Sequence, residues 1–343
     1  MVYVGMDVHR KRTQVAILDD RGEQLLNRNV ANASQEMTEI LASVGEGTSA
    51  AFEAGYGWSW LVELCEELGL EPHLAHPSRC KAIASARLKN DKVDARTLAH
   101  LLRADLLAEA WIAPPEVRDL RALLRHRARL VRLTTSLKTR IHAVLADRGV
   151  RVDDSLWSKP GRARLLSLEL PPTQRAIVDD CLTLIDTIDV PLRRLRSEIR
   201  CLAIPDPRVT ALTRIPGIGR LTAMMLVAEI GDISRFPTAR KLCAWAGLTP
   251  TVRNSDIKVR HGHISKQGSS WARWMLIEAA MVARTRPPFA KFYAQLAHRR
   301  GKHIATVAIA RKLLARSFHV LKAVSDHASQ GQLDEGSAPQ TRP

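Results

Sequence analysis

The chain has 343 residues, 45% of them hydrophobic and 25% charged, which is ordinary for a globular protein and enough for two domains with cores of their own. Its 52 Lys and Arg against 35 Asp and Glu give a formal net charge of +17. That excess favours a polyanionic partner, because each phosphate contact by Lys or Arg releases condensed counterions. No apolar run approaches the ~20 residues of a spanning helix, and residues 1–7 lack a signal-peptide pattern, so no membrane partner is expected and a cytoplasmic setting is. The five cysteines, Cys65, Cys80, Cys181, Cys201 and Cys243, have no zinc-ligand spacing and read as reduced, mostly buried thiols.

Residues 2–8 form an apolar strand that delivers Asp7 at its end. Residues 13–18 alternate and stop at Asp19-Asp20-Arg21-Gly22, a hairpin turn, and residues 24–30 complete a meander. A helix over 34–44 follows, with Ser34 as N-cap and Met37, Ile40, Leu41 and Val44 on one face. Next come a buried strand over 49–55 carrying Glu53, a helix over 58–68 and an extended segment over 71–76. A meander followed by alternating helices and strands resembles the RNase H-like (RuvC-like) α/β fold, here over residues 1–112.

From Pro115 the pattern changes. Leu120, Leu124, Leu130, Leu133, Leu137, Ile141, Val144 and Leu145 recur at helical steps, while Arg125, Arg129, Arg132, Lys138 and Arg140 occupy the other faces. This predicts a helical, coiled-coil-like arm over 113–203 that pairs with another helix and lies against nucleic acid. Residues 150–172 contain Pro160-Gly161 and Pro171-Pro172 and read as an irregular excursion. A second helix over 173–201 returns antiparallel, interrupted or bent at Pro191.

After the break at Ile204-Pro205-Asp206-Pro207, residues 204–325 read as a mainly α domain. Helices over 209–214 and 220–230 flank Ile215-Pro216-Gly217-Ile218-Gly219; further helices span 239–246, 268–283 and 302–324, with a polar stretch before 268. Residues 326–343 read as a disordered tail.

Two constellations carry chemistry. Asp7 and Glu53 end buried strands, and Asp91 and Asp94 open a helix, three residues apart and so on one face. Four converging carboxylates repel one another unless they surround divalent cations; Mg²⁺, which prefers oxygen ligands, suits them and would polarise a scissile phosphate. The second constellation is basic. Gly217 and Gly219, flanked by Arg214 and Arg220, resemble the hairpin of helix-hairpin-helix motifs, where backbone amides meet phosphate. Beyond it, a hydroxyl-rich stretch with Lys258, Arg260 and Lys266, followed by Arg273, has room for a nucleophilic serine. The residues alone leave Ser255 and Ser265 equal, as nucleophile, turn residue or N-cap.

Val4-Gly5-Met6-Asp7-Val8-His9, Glu53-Ala54-Gly55 and Lys89-Asn90-Asp91-Lys92-Val93-Asp94-Ala95, with Ile215-Pro216-Gly217-Ile218-Gly219, Gly247-Leu248-Thr249-Pro250 and Ser265-Lys266-Gln267-Gly268, run in order along nearly the whole chain. In this combination the chain resembles the DEDD transposases of the insertion-sequence one-ten family. The resemblance implies a RuvC-like domain whose acids, matching Asp7, Glu53, Asp91 and Asp94, bind Mg²⁺. It implies a transposase domain whose serine, best matched by Ser255, forms a phosphoserine link to DNA, with a structured RNA from the element guiding donor and target choice and the enzyme working as a homo-oligomer, dimer or tetramer. Asp256 stands where the family has Gly after the serine, which keeps Ser265 as the alternative nucleophile; Ser269 and Ala272 also depart from its later block. Two other functions fit the composition: a Mg²⁺-dependent, structure-selective nuclease of the junction-resolvase kind, which needs the acids but no serine, and a non-catalytic RNA-binding protein.

Overall fold

The computed structural model describes residues 1–55, 57–83, 91–151, 155–255 and 258–336; within these, the side chains of residues 78, 81, 82, 253–255, 258–261, 328, 329 and 331–336 lie outside the description. The chain divides into two compact units, Met1–Ala113 and Pro114–Pro343.

In the first unit, β1 (Tyr3–Val8), β2 (Arg12–Leu18) and β3 (Gln24–Ala31) form the antiparallel meander. Helix α1 (Gln35–Ala42) is capped by Ser34, whose side chain accepts from the Met37 N–H as the sequence predicts. Strand β4 (Ser49–Glu53) pairs parallel with β1, and β5 (Glu71–Ala75) pairs parallel with β4, giving the order β3-β2-β1-β4-β5. Between them lies α2 (Ser59–Glu67), and after β5 come α3 (Pro77–Ile83) and α4 (Asp91–Arg103).

Strand alternation sorts the two faces of this sheet. Val4, Met6, Ala50 and Phe52 share a buried cluster with Met37 and Leu41 of α1 and Leu61, Val62 and Cys65 of α2. The opposite parity, Gly5 and Ala51, faces α4, whose Leu98 and Leu101 cluster with Ala51, Ala75 and Cys80. The α4 backbone comes very close at Gly5. A Cβ there would sit 2.1 Å from the Ala95 carbonyl oxygen and 2.6 Å from the Ala99 nitrogen.

In the second unit, α5 (Pro115–Ala146) and α7 (Pro172–Ala203) run antiparallel. Ile141, Val144 and Leu145 meet Val178, Cys181, Leu182 and Ile185 at one end, while Leu124 and Ile199 join the main helical core at the other. Pro191 lies inside α7 without ending it. The stretch read as irregular contains a helix, α6 (Lys159–Ser167). Pro160 falls in its first turn, where no N–H is needed, and Ser158 caps it through the Gly161 N–H. Gly161 serves close packing, since a Cβ there would meet the Ser155 carbonyl oxygen at 2.1 Å.

The core of this unit is built from α8 (Pro207–Leu212), α9 (Arg220–Ile230), α10 (Ala239–Trp245), α11 (Ser270–Ala283) and α13 (Lys302–Gly336), with α12 (Ala290–Arg300) alongside. Three features depart from the sequence reading. The polar stretch is a hairpin, β6 (Pro250–Ser255) with β7 (Lys258–Ile264). Helix α12, absent from the sequence reading, buries none of its residues fully, though Phe292 and Tyr293 pack against the core. Helix α13 runs to Gly336, into the segment whose composition suggested disorder.

Replacing Gly5 by Ala forces α4 off the sheet, because the clash is with backbone, which cannot rotate away. The expected cost is about 1–3 kcal/mol, as for overpacked cores; thermal denaturation measures it, and an unchanged Tm would show that α4 is not held at this distance.

Candidate active site

Asp7 lies near the C-terminal end of β1 and Glu53 ends β4, one register step beyond the Met6–Phe52 pair, so both belong to the α4 face of the sheet. Asp91 and Asp94 occupy the first turn of α4, where the positive end of the helix favours acids. That turn is also tied to the sheet: Asn27 of β3 donates to the Lys92 carbonyl at 3.2 Å and accepts from the buried Gln14 amide at 2.6 Å.

Sequence reasoning missed His9, although alternation puts it on the same face as Asp7, two residues away. Its Nε2 stands 3.2 Å from an Asp7 carboxylate oxygen and 3.2 Å from one of Asp91. Ligand atoms of Asp7, His9 and Asp91 fall within 4.8 Å of one another. Asp7 is the most enclosed of the three, with its side chain 15% exposed against 49% for His9 and 54% for Asp91. Burial pushes the Asp7 carboxyl above the ordinary carboxylate range; His9 pulls it back, and Asp91, Asp94 and Glu53 push it further up. Asp91, Asp94 and Glu53 thus all act on Asp7, although among the described residues only Asp7, His9 and Asp91 bring ligand atoms together, and a cation there would relieve a repulsion that burial sharpens.

Ser255 ends β6, its backbone opposite Lys258 across the hairpin; its side chain and those of Lys258 and Arg260 lie outside the described residues, as does Asp256. Ser265 donates its N–H to the Thr249 carbonyl at 2.9 Å and stands outside any cap. The N-cap of α11 is Ser269, whose hydroxyl accepts from the Ala272 N–H at 3.1 Å. Lys89 and Asn90 of the third acidic motif also lie outside the described residues.

Several cations read as nucleic-acid contacts are engaged within the chain. Arg125 makes a bidentate pair with Glu229 at 2.8 Å and 2.8 Å, and the Ser269 hydroxyl donates to the same carboxylate at 2.8 Å. Glu229 is 2% exposed, so Arg125 answers a buried charge. Arg273 likewise donates to the carbonyls of Ala246, Gln267 and Gly268, holding the end of α10 against the turn before α11. Arg132 stacks over Trp271 and Trp274, 4.5 Å and 5.1 Å from the ring centroids, and Lys138 stacks over Trp157 at 4.6 Å. Arg129, Arg140, Arg214, Arg220 and Lys266 remain exposed. Gly217 (φ +91°) packs against α11, where a Cβ would meet Ala283 Cβ at 2.6 Å, whereas Gly219 has open space around it and caps α9.

Two strand ends and the first turn of a helix thus bring carboxylates to one end of the sheet in the first unit. A DEDD transposase model of the IS110 type matches residues 4–148, which include all four acids, and a model described as "Transposase IS116/IS110/IS902 family" matches residues 209–294. The chain is 26% identical to the transposase for insertion sequence element IS1111A of Coxiella burnetii, covering 90% of this chain and 86% of that one. It is 24% identical to the 43.6 kDa protein of insertion element IS110 from Streptomyces coelicolor and to the 44.8 kDa protein of insertion element IS116 from Streptomyces clavuligerus, covering 94% of each chain in both cases. With both models matched in order, one in each unit, the protein belongs to the IS110/IS116 family of insertion-sequence transposases. No helix among the described residues is long and apolar enough to cross a membrane.

A raised carboxyl pKa means that the fold favours protonated Asp7, so its ionisation costs stability as pH climbs from the ordinary carboxylate range through the raised value. In metal-free buffer, Asp7→Asn is expected to melt at or above wild type at neutral pH. That advantage should shrink as pH falls through the carboxylate range, as differential scanning calorimetry across pH would record. A variant less stable than wild type at every pH would mean that Asp7 holds the fold together rather than straining it.

Proposed function

We propose that the protein carries out Mg²⁺-dependent cleavage and strand exchange at the ends of its element, with Asp7, Glu53, Asp91 and Asp94 as the metal-binding carboxylates and Ser255 as the nucleophile. The observation that carries this reading is the effect of three acids on the half-buried Asp7, from one strand end and one helix turn. Hard carboxylate donors suit Mg²⁺, and the DEDD class typically uses a divalent metal. The order β3-β2-β1-β4-β5, with β2 antiparallel and β4 and β5 parallel to β1, supports the RNase H-like reading of the first unit. The helices flanking 213–219 support the helix-hairpin-helix reading, and the α5–α7 pair the coiled-coil one.

A bound metal would polarise the scissile phosphate and stabilise the charge that develops on it. The chain's own part follows from its residues. Asp7, Glu53, Asp91 and Asp94 would hold the metal, and His9, between Asp7 and Asp91, fixes those two carboxylates relative to each other. The Ser255 hydroxyl attacks phosphorus, an O–P bond to serine forms, and the bond to the leaving deoxyribose oxygen breaks. In the second step a hydroxyl of the receiving strand attacks the phosphoserine, which restores the serine and joins the strands. Neither step consumes an external energy source, because each exchanges one phosphodiester for another. Donor and target DNA are the substrates, and the family resemblance adds a guide RNA and a homo-oligomer.

The acids and Ser255 belong to different units of the chain, so complementation is informative. Asp7→Ala and Ser255→Ala should each lower strand exchange by roughly a thousandfold or more. Mixing the two inactive variants shows whether both groups must reside on one chain, and DNA should be covalently attached only to chains carrying Ser255. Full cleavage by Ser255→Ala would replace this mechanism with a resolvase-like, serine-free one. A missing adduct in Ser265→Ala, with Ser255→Ala still forming it, would move the nucleophile. Saturating Mg²⁺ should also raise the Tm of wild type but not of Asp7→Ala; about 2.7 kcal/mol is expected at a hundredfold excess over Kd.

A further inference from the structure

Helices α5, α7 and α9 line a cavity of about 450 Å³. Its walls carry Arg127 from α5, Arg193, Arg196 and Arg200 from one face of α7, and Arg220, the first residue of α9. Arg193 pairs with Asp189 at 3.0 Å. The other four have no hydrogen-bond or ion-pair partner among the described residues, and none of the residues lining the cavity is acidic. Arg127 is half-buried, and burial, then Arg196, lowers its affinity for its proton.

Elsewhere in the unit, two cations as enclosed as Arg127 are answered. Arg125 has Glu229, and Arg273 has three carbonyls. Unanswered guanidinium groups facing one hollow repel each other, and each is a planar fork that fits two phosphate oxygens. Arg220 opens α9, whose positive end adds to the field near the cavity, while its N-cap, Gly219, lines a neighbouring hollow. The lining has aliphatic Ile199 and Leu221 but no aromatic ring for a base to stack on.

We propose that this arginine-lined cavity seats backbone phosphates of nucleic acid and makes contacts independent of base sequence. The proposal rests on the reading that the protein acts on nucleic acid, and it assigns part of that binding to a site outside the carboxylate cluster and the serine hairpin. It also explains why arginine recurs along the second half of α7, which the leucine stripe of α5 does not require.

The test is salt-dependent binding of the full chain to a duplex DNA of arbitrary sequence and to a structured RNA. The variant is Arg196→Gln/Arg200→Gln, both exposed and neither in a core. Lys291→Gln/Arg299→Gln on α12 removes the same charge from an exposed face elsewhere. Each lost contact should flatten the plot of log affinity against log salt by about 0.9 for duplex DNA or about 0.7 for a single strand. The cavity variant should therefore lose about 1.8 in slope on duplex, or about 1.4 on unpaired RNA, and roughly tenfold in affinity, with the α12 control near wild type. Whichever nucleic acid shows the loss is the one seated. Arg127→Lys should keep the slope and lower affinity, because the charge stays and the fork is lost. Cavity and control variants with the same slope and affinity, on a wild type that binds, would overturn the proposal alone. Inorganic phosphate stabilising wild type but not the cavity variant, with nucleic-acid binding unaffected, would also overturn it, leaving a free-phosphate site. A wild type that binds neither nucleic acid at any salt would instead sink the underlying functional reading.

Discussion

The first unit depends on the approach of α4's backbone to β1 at Gly5. A carbonyl oxygen 2.1 Å from where a Cβ would stand leaves room for no other residue. Because the helix lies so near, its first turn reaches the sheet edge at which β1 and β4 end, and the acids of three separate elements act on one another. Alternation does the rest: with Gly5 facing α4, Asp7 and His9 must face it too, and the parallel register brings Glu53 to the same side. Close packing, rather than attraction between the site residues, brings the carboxylates together. Their mutual repulsion opposes the fold, and burial of the Asp7 carboxyl adds to that opposition.

The second unit answers a buried charge in a different way. Glu229, near the end of α9, has its carboxylate held by both arms of Arg125 and by Ser269, while Arg121 donates to the Ala228 and Glu229 carbonyls at 2.7 Å and 3.0 Å. One acid thus fixes α5, α9 and the start of α11 against each other. Removing one partner of such a group leaves an uncompensated charge, which is why it specifies an arrangement more sharply than apolar packing does. The arginines of α5 accordingly divide: Arg121 and Arg125 are engaged on α9 and Arg132 stacks over Trp271 and Trp274, whereas Arg127 has no hydrogen-bond or ion-pair partner among the described residues.

How much of this was legible depended on whether a residue's signal was local. The meander, the Ser34 cap, the four acids and the helix from Asp91 follow from alternation, turn residues and helical spacing, all properties of neighbouring positions. The β6–β7 hairpin gave no such signal, because its charged, hydroxyl-rich strands lack an apolar face; Val252 is 53% exposed. The Pro160-Gly161 pair looked like a breaker because composition does not say where a helix begins, and one residue's shift turns a breaker into a first-turn proline. The intramolecular partners of Arg125 and Arg273 were hidden for a further reason. They lie 104 residues away in one case, and in the other are backbone carbonyls that no sequence pattern displays.

The Ile215-Pro216-Gly217-Ile218-Gly219 segment shows how one motif can hold two different requirements. Gly217 has a left-handed φ of +91° and no room for a Cβ beside Ala279 and Ala283, so it is needed to let the connection lie on α11. Gly219 has an ordinary φ of −86° and open space, so packing does not require it. What its missing side chain leaves is the uncovered start of α9, next to Arg220 and the arginine-lined cavity. A serine or aspartate there would cap the helix better, yet would place an oxygen acceptor where the first amides are otherwise open to a phosphate. The residue that stabilises the helix less is the one that leaves its positive end open to an anion.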